Sequence, residues 1–149
     1  MNKQEVHIEA INFVQQKIDA LTKIYKEALN AAAADDAKSS SGDKHETAVS
    51  MAQLEQEKIT KQINTLLEQK RELEKINTSI PHKTIQKGSL IETNNGWFYL
   101  SIGIGLIKHS NFPFFCLSPQ APLGQLLLGK KTKDTISFNG KTTAIKNIF

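Results

Sequence analysis

Residues 78–88 read "TSIPHKTIQKG", and the chain obeys different periodicities on either side of them. Upstream, apolar residues recur at a helical interval. Downstream, β-branched and aromatic residues gather in short runs between turn residues. Pro81 disfavours helical backbone at the residue before it, and Gly88 opens the second regime. The expectation is an α+β chain, with a helical part over residues 1–79 and a sheet part over 80–149.

In the helical part Ile11, Ile18 and Tyr25 fall seven apart, and Val14, Leu21 and Ala28 follow each by three. That spacing makes an a/d seam, with Lys, Glu and Gln on the other faces. From Lys44 to Asn77 a second stripe runs through Ile59, Ile63, Leu66, Leu73 and Ile76. Gly42 sits between the two patterns and neither contains proline. Two helices joined by a short polar loop bury their stripes on one another, which predicts an antiparallel coiled-coil hairpin. About 27 residues at a rise of 1.5 Å give it a reach of about 40 Å. Near the turn, Ala31 to Ala34 stand opposite Ala48 and Ala52. This is either a thin tip or helix propensity alone.

In the sheet part, "SLIETNNGWFYLSI" reads as a hairpin turning at Asn95-Gly96, and "DTISFNGKTTAIKNI" as another turning at Asn139-Gly140. "FPFFCL" reads as a buried strand. "APLGQLLLG" reads as a short helix, with Pro122 in its first turn and Gly129 at its C-terminal cap.

The charge is divided unevenly. Residues 80–149 hold 8 basic and 2 acidic side chains, while 1–79 hold 11 and 13. This asymmetry assigns different surfaces to different partners, and leaves weak contact with DNA or RNA open to the basic part. The lone Cys116 excludes a disulfide within the chain and points to a reducing, cytoplasmic compartment. "MNKQEVHIEA" has no apolar core of a signal peptide, and no run approaches the length of a membrane span.

Catalytic motifs fail on chemistry. "GQLLLGKKT" (124–132) nearly matches a phosphate-binding loop, but Lys131 stands where Mg²⁺ needs a hydroxyl. "GIG" (103–105) lacks a third glycine and suits a bulge. His7, His45, His82 and His109 show no metal-ligand spacing, and Cys116 has no evident activating partner.

Asp43 and Glu46, three residues apart at the hairpin turn, are different. Asp at an N-cap with Glu three residues later satisfies free N–H groups and favours the positive end of the helix dipole. The same pair has lone pairs to spare for a divalent cation. Two carboxylates alone hold Mg²⁺ weakly, so the remaining ligands would come from another molecule.

"GDKHETAVSMAQLEQEK" (42–58) resembles the hairpin tip of the bacterial Gre transcript-cleavage factors, where Gly-Asp-x-x-Glu opens a helix. "SPQAPLGQLLLGKKTKDTISFNGKTTAIKNI" (118–148) resembles the end of that family's C-terminal domain. The two matches cover about a third of the chain. The order of parts, helical hairpin and then a small sheet domain like FK506-binding proteins, agrees across all of it.

The resemblance implies an accessory factor rather than an enzyme. Its C-terminal domain would dock at the secondary channel of RNA polymerase, with Ser118, Pro119, Pro122 and Leu123 as contacts. Asp43 and Glu46 would reach the polymerase centre and share its Mg²⁺, assisting cleavage of backtracked RNA. The chain would carry no cofactor of its own, meet nascent RNA only inside that complex, and engage no membrane. Thr47, Ser50 and Leu54 depart from the family's usual asparagine, aromatic and basic residues. That favours a second reading, a channel-occupying modulator or inhibitor without cleavage activity. A third is an unrelated coiled-coil adaptor. A prolyl isomerase has only fold analogy behind it.

Overall fold

The computed structural model describes residues 2–38, 42–108 and 112–149; the side chains of 32–38, 42–46 and 48 fall outside that description. Helices α1 (Lys3–Lys38) and α2 (Gly42–Glu74) pack together as the expected pair. Their direction follows from their shared grooves. Lys17 and Leu21 of α1 face Thr65 and Leu66 of α2, whereas Tyr25 faces Gln53 and Glu57. As one number rises the other falls, so the helices are antiparallel.

The predicted seam is the covered one. Val14, Ile18 and Ile59 are buried, and Leu21, Tyr25, Ala28, Ile63 and Leu66 are half-buried. Gln56, half-buried, interrupts the apolar line on α2, which explains the weaker period there. The sequence-based helix ends shift in two places. α1 runs on to Lys38, and α2 stops at Glu74 rather than at Asn77. The stop precedes Pro81. Ile76 N–H bonds to Leu73 O at 3.0 Å, and Asn77 Oδ1 accepts from Ser79 N–H at 3.0 Å. An Asn side chain that captures the backbone two residues on competes with the next helical turn.

By packing rather than by composition, the chain divides into two compact units, Val14–Lys70 and Met1–Phe13 with Arg71–Phe149. The second unit carries six strands: β1 (Leu90–Thr93), β2 (Gly96–Leu100), β3 (Gly105–Lys108), β4 (Pro113–Leu117), β5 (Thr135–Phe138) and β6 (Lys141–Ile148). They form one mixed sheet in the order β3-β4-β2-β1-β6-β5. Helix α3 (Pro122–Leu127) joins β4 to β5.

Both expected hairpins form, by different turns. Asn139 and Gly140 both take positive φ (51° and 77°), the mirror-image turn that matches strand twist. At the first hairpin Thr93 pairs with Gly96, so the turn residues are Asn94 and Asn95, one position earlier than expected. Neither has positive φ, and Gly96 follows at 113°, as in a glycine bulge. "GIG" leads into β3 with Gly105 at φ 84°.

Strand alternation gives the sheet two faces. On one, Ile91, Leu100, Ile136 and Ile145 form a core with Ile85 and with Leu127 of α3. On the other, Leu90, Tyr99, Phe114, Cys116 and Ile107 are buried, and α1 lies against it: His7 Nδ1 is 2.8 Å from Tyr99 Oη. Val6, Ala10 and Leu73 are fully buried in this unit, so the first turns of α1 and the last of α2 belong to the sheet's core. Truncating a leucine so placed costs about 2–5 kcal/mol. Among the described residues no helix is long and apolar enough to cross a membrane.

Candidate functional site

β4 does not read as a fully buried strand. Phe114 and Cys116 point inward while Phe115 is 43% exposed. Phe115 belongs to a row crossing the sheet in register: Leu106, Phe115, Phe98, Ile91, Ile148. The row runs from open to closed. Leu106 is 42% exposed, Phe98 is half-buried and stacks on Phe115 at 5.8 Å, and Ile91 is fully buried. α3 packs at the closed end, leaving β3 and β4 as an uncovered apolar strip. Exposed Lys108, two residues beyond Leu106 along β3, shares that side.

The chain leaves β4 into the segment that the Ser-Pro resemblance singles out. Ser118 O accepts from Ala121 N–H at 3.1 Å, and Ser118 Oγ accepts from Gln120 N–H at 3.2 Å. Pro119 takes the position where a fixed φ favours such a turn. Pro122 then begins α3 after an extended Ala121. Gly124 is the residue that permits this closure, since a β-carbon there would sit 2.0 Å from Ser118 O. Ser118 and Pro119 are half-buried and Pro122 is exposed, so the three gather in one turn. Leu123 turns toward the core and packs partly against it.

α3 is capped by Leu128, whose N–H donates to Gly124 O at 3.0 Å, rather than by Gly129 as expected. Gly129 follows at φ 80°, and its N–H donates to Ile85 O at 2.9 Å. Of the three leucines expected on a buried helix face, only Leu127 is buried; Leu126 and Leu128 are 39% and 40% exposed. A six-residue helix has one inward stripe, so neighbouring positions must face out.

Cys116 is 2% exposed, and burial pushes its thiol up to about 12, partly offset by the Ser101 hydroxyl. It is a packing residue, not a nucleophile. Ser101 Oγ is buried without a hydrogen-bond partner of good geometry, the Cys116 thiol being its polar neighbour.

Positions 43 and 46 fall inside α2, one helical turn apart along its backbone. The carboxylates of Asp43 and Glu46, and the capping expected of them, lie outside the described residues. Among the described residues no group of three or more His, Cys, Asp or Glu could hold a metal ion.

Sequence reading located the Ser-Pro turn but missed Leu106 and Phe115. The signal was available only as the unusual Phe114-Phe115 pair, whose two members must face opposite sides of any strand. Comparison with protein-family models, curated proteins and solved structures finds no match to this chain.

Proposed function

We propose that this protein is a Gre-like transcription factor that binds RNA polymerase through its sheet domain and presents Asp43 and Glu46 from its helical hairpin to the polymerase centre. The observation that carries the reading is one juxtaposition. The apolar strip of Leu106 and Phe115 lies on the α3-bearing face of the same sheet whose β4 runs directly into the Ser118–Pro122 turn, in a part of the chain rich in lysine. An apolar anchor with a polar, basic surround suits a protein partner with acidic borders.

The two carboxylates would supply oxygen ligands to a Mg²⁺ otherwise held by the polymerase, an ion that activates water or steadies a leaving oxygen in phosphodiester hydrolysis. Their role in this chain is to bring negative oxygens, on a narrow helical support, to a place the polymerase leaves incomplete. The α-hairpin has the right character for that support: two long helices packed antiparallel, with no proline in either.

Thr47, Ser50 and Leu54 favour one second reading, occupation of the channel without cleavage. Core polymerase stalled on a template in the backtracked state separates the two. Shortening of the RNA from its 3′ side on adding the protein supports the cleavage factor. Binding without shortening supports the modulator, and absence of binding defeats both.

A further inference from the structure

Among the described residues, two buried hydroxyl protons in the sheet unit have histidine as their only acceptor. Tyr99 is 0% exposed, and among the described residues its Oη has one hydrogen-bond partner, His7 Nδ1 at 2.8 Å. Ser89 is also 0% exposed. Its Oγ accepts from Gln86 N–H at 2.9 Å and lies 2.8 Å from His82 Nδ1. Accepting from Gln86 leaves Ser89 Oγ a second lone pair, so what directs its own proton to His82 is that Nδ1 is the one acceptor in reach of it among the described residues. In both pairs the imidazole therefore accepts at Nδ1 and carries its proton on Nε2.

Protonation removes that acceptor. Nδ1 becomes a donor, the hydroxyl oxygen must receive it, and the hydroxyl proton is left buried with no partner. The cost falls on groups that cannot reach water. The surroundings add to it. Around His7 stand Tyr99 from β2, the neutral Cys116 thiol beside Tyr99 from β4, and Lys3 one turn earlier on α1. Around His82 stand Ser89, the Gln86 N–H and Lys3, whose Nζ donates to Ile80 O at 2.7 Å. Among the described residues no carboxylate raises the pKa of either ring. Burial holds His7 below the ordinary histidine range, and burial followed by the Lys3 charge does the same for His82.

We propose that His7 and His82 form an acid-released clamp, which in the neutral state fastens the first turns of α1 and the 80–88 segment to the sheet, and on protonation lets residues 3–13 detach. The sign follows from linkage. Above the ordinary value of 6.5 neither folded nor unfolded chain binds these protons, and the clamp is at full strength. Below it the unfolded chain gains them first, so the stability contributed is lost as pH falls toward the depressed folded values. The consequence is local because residues 3–13 meet the sheet through this face.

The test uses the full chain and two readouts. Imidazole ¹⁵N shifts report tautomer, and both rings are expected as Nε2–H at about pH 7.5, titrating below the ordinary histidine range. Amide exchange, corrected for its intrinsic pH dependence, is expected to rise about tenfold more for residues 4–12 than for β1 and β2 on going to about pH 5. The double variant H7Q/H82Q offers a carbonyl acceptor that does not titrate, and is expected to lose that selective rise. The proposal is overturned by Nδ1–H tautomers in the wild type, by protection of residues 4–12 that persists at about pH 5, or by an undiminished rise in the double variant.

Discussion

The carbonyl oxygen of Ser118 lies directly over Gly124, so close that a β-carbon at position 124 would stand 2.0 Å away. Helix α3 can therefore start only where it does if residue 124 has no side chain. The clashing atom is backbone, held by Ala121 N–H, and cannot swing aside as a flexible side chain would. Gly124→Ala is expected to destabilise by about 3 kcal/mol in urea unfolding. Gly129→Ala meets nothing within 4 Å and is strained only by its φ of 80°, so about 1 kcal/mol is expected. Equal losses at the two positions would show that the Ser118 contact does not govern α3.

Phe114 and Phe115 are neighbours with opposite expected phenotypes. Phe114→Ala empties a fully buried site and should cost about 3–5 kcal/mol of stability. Phe115→Ser should change stability by about 1 kcal/mol or less, yet, under the proposed polymerase reading, weaken binding about tenfold or more, as removal of an interface anchor does. Calorimetric unfolding and a binding titration on the same preparations separate the two effects. A Phe115→Ser protein that binds as tightly as the wild type would remove the strip from the interface.

The tip pair is tested by D43N/E46Q, which preserves shape and removes both charges. If the pair caps the helix as its sequence pattern implies, losing those interactions should cost at most about 1–2 kcal/mol. Under the cleavage reading, polymerase binding persists while Mg²⁺-dependent shortening of backtracked RNA disappears. The isolated protein, wild type or variant, should hydrolyse no RNA by itself. Cleavage by the double variant at the wild-type rate would end the role assigned to Asp43 and Glu46.

Cys116 should be chemically silent in the folded protein. A thiol pushed up to about 12 and 2% exposed is neither ionised nor reachable at mildly alkaline pH. A disulfide reagent is expected to react with it only as fast as the sheet unit opens, and immediately in denaturant. Fast labelling under native conditions would mean that β4 frays, and with it the register that sets Phe115 outward.

Much of the architecture was legible because its causes are local. The seven-residue spacing of Ile11, Ile18 and Tyr25 fixed a helix and its inward face, and Asn139-Gly140 fixed a turn, since few residues tolerate positive φ. The Ser-Pro turn and the short helix after it were readable for the same reason. What only the tertiary structure decided rests on partners far away in sequence. β2 pairs in parallel with β4 while β3 is pushed to the edge, an order no local pattern encodes. Alternation along "FPFFCL" said that Phe114 and Phe115 face opposite ways. Which one is buried depended on α1 closing one face and α3 covering only part of the other. His7 looked like one of four scattered histidines until a residue 92 positions away supplied the hydroxyl it pairs with. Period and turn chemistry act through a few bonds, but burial is a property of what arrives from elsewhere in the chain.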